Sequence, residues 1–313
     1  MHVKFWGSRG SMPSSISSSS IKSKLKFALS SAIEKGIRSP EEIDDFIDSL
    51  PFGVKSTYGN NTPCIEISGG SEILICDAGT GLKDLGRNLI QNNSPHQNVI
   101  NILMSHVHWD HIQGFPFFIP AYMQGYIIKI WGCHPDLEKA FVNQQEPPFF
   151  PVQLKNMGAN ISFHTLEPDQ KLNIGGVDIA MIEQPHPGKS YGYCFEKEAK
   201  KIVYSTDIEI SGDEDVRQTF SNFYKNADVL IVDGQFNLAD HLYSKQDWGH
   251  SSNLVAIEMA VHAGAQKLCL FHSDHLLDDE KLDKFYTESL RYLKIFDSES
   301  KLKIYLAYDG LVL

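Results

Sequence analysis

The feature that most constrains this chain is a repeated event, an apolar run of strand length that stops on a histidine or an aspartate. VINILMS runs into His106-Val107-His108-Trp109-Asp110-His111, which packs three histidines and one aspartate into six positions. MIEQP leads to His186, KIVYST stops on Asp207 and KLCLF stops on His272. One such residue alone is ordinarily a hydrogen-bonded core side chain. Four events in one chain reinforce one another, because converging strand ends are where an α/β fold assembles a site.

The periodicity around these ends supports a mixed α/β class. HVKFWG alternates apolar and polar residues and stops at Gly7, as a half-buried strand does. CIEIS and EILICD, parted by Gly69-Gly70, read as a hairpin. Further strands are expected at VINILMS, YIIKIWG, NISFHTL, VDIAMIEQ, YGYCFE, KIVYSTD, DVLIVDG, KLCLFHS and LKIYLAY, and helices at 82–91, 214–225, 252–263 and 279–296. Helices sit between some of the strands, so two sheets are expected rather than one. After the first strand comes a helical insertion at about residues 14–57. It holds a serine-rich stretch, the helical SKLKFALSSAIEK and a second short helix opened by Ser39-Pro40-Glu41-Glu42. It reads as a lid, a partner surface or a cover for a sheet edge.

Length and composition narrow the function. With 313 residues and 42% hydrophobic residues, the chain can bury a large core and is read as one domain over 1–313 carrying that insertion. The 28 Lys and Arg against 39 Asp and Glu give a net charge of -11, which disfavours long polyanions such as nucleic acid. Cys64, Cys76, Cys133, Cys194 and Cys269 are odd in number and mostly sit in apolar runs, so they read as buried thiols. No apolar leader or membrane span is evident, and a cytoplasmic location without membrane attachment is expected.

Counting donors, His106, His108, Asp110, His111, His186, Asp207 and His272 make seven. One tetrahedral zinc takes three protein ligands and a water, so seven suit two ions, with Asp207 as the shared carboxylate. Nitrogen-rich, sulfur-free ligation suits Zn²⁺, and the carboxylates also admit Mn²⁺ or Fe²⁺. Such a pair clamps both oxygens of a displacement and holds a hydroxide between the ions.

These residues resemble the motifs of the metallo-β-lactamase-fold hydrolases: a strand-terminal Asp, HxHxDH, a third His, a bridging Asp and a final His. They stand here as Asp77 in CDAGTG, His106 to His111, His186, Asp207 and His272. The resemblance implies an αββα four-layer sandwich. It places His106, His108 and His186 on one ion, Asp110, His111 and His272 on a second, and Asp207 between them. It gives Asp77 a structural task, orienting a ligating histidine. An aspartate where β-lactamases of this fold carry cysteine argues against lactam hydrolysis. WGHSS with His250 is similar to the GHST-type motif of the ribonuclease Z and cyclic-nucleotide phosphodiesterase-like branch, in which the histidine assists at the phosphate or the leaving oxygen.

The expected activity is therefore hydrolysis of a small phosphodiester such as a cyclic nucleotide, with Asp110 handling the attacking water and His250 acting at the leaving side. His250 also stands before two serines able to cap the next helix. Alternatives are ribonuclease Z-like RNA 3′ processing, thioester hydrolysis and non-catalytic nucleotide sensing. Trp109 and the run Phe115 to Pro120 read either as a wall that stacks a base or as core, and His241 and His275 as supporting or solvated residues. The oligomeric state is open, with a homodimer compatible.

Overall fold

A computed structural model describes residues 1–92, 98–168, 170–210, 212–235 and 249–313. The strands in chain order are β1 His2–Gly7, β2 Arg9–Gly10, β3 Cys64–Ser68, β4 Ile73–Cys76, β5 Val99–Leu103, β6 Ile127–Gly132, β7 Asn160–Thr165 and β8 Leu172–Ile174. They continue with β9 Val177–Gln184, β10 Ser190–Lys197, β11 Lys200–Ser205, β12 Val229–Asp233, β13 Lys267–Phe271, β14 Ser273–Asp274 and β15 Lys303–Leu306. The helices are α1 Ser18–Lys35, α2 Ile43–Asp48, α3 Phe52–Lys55, α4 Gly81–Asn92, α5 Trp109–Ile112, α6 Leu137–Gln144, α7 Glu214–Tyr224, α8 Asn253–His262 and α9 Asp279–Phe296.

Among the described residues two large sheets form, one in the order β1-β3-β4-β5-β6-β7 and one in the order β15-β13-β12-β11-β10-β9-β8. Each joins an antiparallel part to a parallel part: β4 to β7 run parallel in the first, and β11, β12, β13 and β15 in the second. The inner parallel strands β4 and β12 are buried on both faces, which is why they read as apolar runs.

Three apolar layers separate four layers of structure. Between the sheets, Phe5, Ile65, Leu74 and Leu103 meet Tyr193, Phe195, Tyr204, Ile231 and Phe271. The opposite face of the first sheet, with Ile73, Ile75, Ile100 and Ile128, packs on Leu82, Leu85, Phe115 and Phe141. The outer face of the second, with Val203, Leu230 and Leu268, packs on Tyr224, Ala256, Ile257 and Phe285. Alternate residues of one strand thus serve two layers, Leu74 facing one and Ile75 the other. This is the αββα sandwich that the motifs imply.

The insertion is helical as expected. Ser17 caps α1, the Ser39–Glu42 capping box precedes α2, and α3 is an added turn. The segment docks on α9: Gly53 N donates to Asp283 at 2.8 Å, and Lys24 pairs with Asp279. Two short pieces had no sequence signal. β2 and β14 pair with each other across more than 260 residues, Ser273 opposite Arg9 and Asp274 opposite Gly10.

Candidate metal centre

Strand ends deliver the site. Asp77 follows β4, His106 to His111 follow β5, His186 follows β9, Asp207 follows β11 and His272 follows β13. Asp77, Asp207 and His272 all adopt the left-handed region, at φ of 61°, 54° and 60°. Non-glycine residues rarely hold that conformation unless their surroundings fix it. It turns each side chain sharply off its strand.

All seven predicted donors come together. Ligand atoms of His106, His108, His186 and Asp207 lie within 4.8 Å of one another, and so do those of Asp110, His111 and His272. Asp207 stands between these groups with its oxygens divided. Its Oδ2 lies 3.6 Å from His106 Nε2 and 3.7 Å from His186 Nε2. Its Oδ1 lies 3.3 Å from His111 Nε2 and 3.4 Å from His272 Nε2.

The donor set fits divalent cations. His106 Nε2 is buried with no hydrogen-bond partner among the described residues, and a buried polar atom left so is costly. Burial, reinforced by neighbouring imidazoles, lowers the pKa of His106 and His108, and burial lowers that of His186; neutral imidazole is the ligating form. His111 donates through Nδ1 to Asp77, so in its neutral ring Nε2 bears a lone pair facing Asp110 Oδ2 at 3.4 Å and Asp207 Oδ1 at 3.3 Å. Burial opposes charge on His111, but Asp110, Asp207 and Asp77 outweigh it and hold the imidazole well above its usual pKa. Burial likewise opposes charge on Asp110 and Asp207, and the histidines still keep both carboxylates well below the usual range. Lone pairs and carboxylate oxygens converging out of water select positive charge.

A surrounding set of groups fixes the donors. Asp77 is fully buried and accepts from Ser105 N at 2.7 Å, Ser105 Oγ at 2.8 Å and Tyr204 OH at 2.6 Å besides His111 Nδ1 at 2.8 Å. This is the orienting carboxylate expected from CDAGTG. His186 donates through Nδ1 to Gly249 O at 2.8 Å. A Cβ on Gly249, at φ 84°, would come within 2.2 Å of that nitrogen. β2 and the residue after it also reach the site. Ser11 N donates to Asp110 Oδ2 at 2.8 Å, and a Cβ on Gly10 would meet His272 Nδ1 at 2.5 Å.

His250 lies three residues before α8 and is buried, and Ser252 caps the helix as expected. Its Nδ1 donates to Asp233 Oδ2 at 2.6 Å and lies 4.0 Å from Asp207 Oδ2. Burial opposes charge on this imidazole, yet Asp233 raises its pKa to about 9. Asp233 was not among the residues expected from the sequence. That residue carries the same signal as the others, an aspartate closing the apolar run VLIVD. Of the aromatics, Phe115 and Phe118 are core, whereas Trp109 is 65% and Phe117 60% exposed. His275 is half-buried with Nδ1 3.5 Å from Asp274 Oδ1; His241 lies outside the described residues.

The αββα sandwich, with its His/Asp cluster at converging strand ends, is the metallo-beta-lactamase fold. The chain belongs to the beta-lactamase superfamily domain family, whose model matches residues 73–273. It is 22% identical to ribonuclease Z of Picrophilus torridus over 270 residues, 72% of this chain and 84% of that protein. The metallo-beta-lactamase fold protein YhfI from Bacillus subtilis superposes with a TM-score of 0.63 at 18% identity, covering 100% of this chain and 98% of its own. A diphosphatase from the PhnP family superposes with a TM-score of 0.60 at 17% identity, covering 100% and 96%.

Proposed function

We propose that this protein hydrolyses a small phosphodiester, of which a cyclic nucleotide is the type, using two divalent ions. His106, His108 and His186 would hold one ion, Asp110, His111 and His272 the other, and Asp207 would serve both. The observation that carries this reading is the division of Asp207, one oxygen toward each histidine group. Zn²⁺ suits the nitrogen-rich set, and Mn²⁺ or Fe²⁺ suit its carboxylates. When bound, such a pair supplies a nucleophile from water at neutral pH and neutralises charge on phosphoryl oxygens.

The chain's own groups supply the rest. Asp110, fixed by Ser11 N and facing His272 Nε2 at 3.1 Å, orients the attacking water. His250, anchored by Asp233 and 4.0 Å from Asp207 Oδ2, protonates the leaving oxygen. The exposed Trp109, next to Asp110, and Phe117, in edge contact with Phe150 at 5.6 Å, favour a substrate with a flat ring, since aromatic faces stack bases.

Ribonuclease Z-like cleavage is the second reading, favoured by the ribonuclease Z relatives and opposed by the net charge of -11. One metal-replete preparation assayed on bis-p-nitrophenyl phosphate, cyclic nucleotides, a tRNA precursor with a 3′ trailer and a thioester separates the readings. Turnover of the small phosphodiesters that is lost in Asp207→Ala is expected. Faster cleavage of the precursor than of any small diester would install the second reading, and tight nucleotide binding without turnover would make the protein a sensor.

A further inference from the structure

Helix α1 is built opposite to a helix that serves its own core. None of its 18 residues is buried. The ridge it turns to the body is Ser20, Lys24, Ala28 and Ser31, which are half-buried. Lys24 Nζ anchors it by donating to Ser56 O at 2.7 Å and pairing with Asp279. The apolar row runs along the outer side, where Ile21 is 49%, Leu25 58%, Leu29 65% and Ile33 80% exposed. Four residues overshoot a helical turn by about 40°, so the row winds steadily away from the body and its exposure climbs. A packed surface helix buries such a stripe, and a contiguous exposed one marks an interface.

We propose that this row pairs, antiparallel and about a two-fold axis, with α1 of a second copy of the chain. Charge identifies the occupant. On a chain of net charge -11, α1 carries Lys22, Lys24, Lys26 and Lys35 against Glu34 alone. The next segment is acidic, with Glu41, Glu42, Asp44, Asp45 and Asp48, and exposes Ile43 and Ile47 at 44% and 41%. It sits at the C-terminal end of α1, where Lys35 Nζ donates to Ser49 Oγ at 3.0 Å and lies 5.5 Å from the Phe46 ring. The insertion is therefore basic at one end and acidic at the other. An antiparallel pairing sets each basic end beside the partner's acidic end, which is the self-complementarity an isologous contact requires.

A helix of about 27 Å by 10–12 Å offers a face of about 300 Å², against about 800 Å² per partner in a standard interface. Ile43, Ile47 and the acidic segment must join it, and the dimer dissociates on dilution. An anionic lipid surface would attract the lysines but repel the five acids beside them.

Sedimentation velocity of the full chain over a dilution series tests this. The mass is expected to rise from 35.2 kDa toward twice that value with concentration. Leu29→Glu with Ile33→Glu should weaken association about 100-fold by placing charges in a desolvated contact. Lys22→Glu with Lys26→Glu should weaken it about tenfold, and adding Asp44→Lys and Asp45→Lys to the same chain should restore it. These positions are exposed, so melting temperature and phosphodiesterase activity serve as folding controls. A mass that stays monomeric at every concentration, or a dimer indifferent to Leu29→Glu and Ile33→Glu, overturns the proposal. So does capture of a monomeric wild type by phosphatidylcholine/phosphatidylglycerol vesicles, which assigns the row to lipid.

Discussion

The candidate metal centre and the insertion hold their side chains in opposite ways. At the centre, Asp77 accepts four hydrogen bonds, Gly249 O fixes His186, Ser11 N fixes Asp110 and Asp233 fixes His250. In α1 the proposed docking face is a row of exposed side chains, and Lys24 anchors the helix from behind. Strained backbone at Asp77, Asp207 and His272 persists because buried partners surround it, whereas α1 is an ordinary capped helix. Reacting groups need fixed positions to within fractions of an ångström. A docking face needs only shape and charge, and its partner supplies the rest.

The contrast can be broken by substitution, and the largest effect belongs to Asp207→Ala. It removes the carboxylate common to both histidine groups, and turnover of bis-p-nitrophenyl phosphate should fall by about 10⁴-fold or more; retained turnover in a folded variant would refute the site. His250→Ala should cost about 10²- to 10³-fold in kcat. Asp233→Asn should lower kcat as well, and the double variant should be no worse than His250→Ala alone, because the pair acts as one unit. Additive losses would separate the two residues. Gly10→Ala is smaller but more diagnostic: its methyl would meet the His272 ring at 2.5 Å and should weaken metal affinity by about 10- to 100-fold, as read by competition with a chelator. An unchanged affinity would show that β2 yields. Smallest of all, Leu29→Glu should alter stability by no more than about 0.5 kcal/mol in urea titrations and leave turnover intact. A large loss there would mean that α1 packs on its own chain after all.

Much of the fold was legible because each strand carries its own local pattern. β1, β3 and β9 fall on HVKFWG, CIEIS and VDIAMIEQ, and α9 spans Asp279–Phe296 as its spacing predicts. The centre was legible for the same reason, since a polar residue closing an apolar run is a local event. Asp233 was legible in principle and overlooked. β2, β14 and the role of Gly10 were not, because two-residue strands have no period and their partners lie more than 260 residues away in sequence; nor was that of Ser11, whose backbone N–H reaches Asp110 only through the fold. The direction in which α1 turns its apolar row was equally hidden. Spacing gives a stripe on a helix, and only tertiary packing at Lys24 and Asp279 decides which way it faces.

The donors come from both sheets, Asp77's partner His111 with His106, His108 and Asp110 from the first and His186, Asp207 and His272 from the second. His106 and His272 stand 166 residues apart in sequence (272 − 106), so their meeting waits for long-range closure and belongs to the slow part of folding. An ion needing both sets can be captured only after the two layers have docked, and a half-assembled chain has no complete set with which to take it. If the proposed ions bind, capture would act as a latch on the docked state, worth about 4 kcal/mol when free metal exceeds its dissociation constant a thousandfold. The readiness of this protein to turn over substrate and its resistance to coming apart between the layers would therefore rise and fall with the same supply of metal.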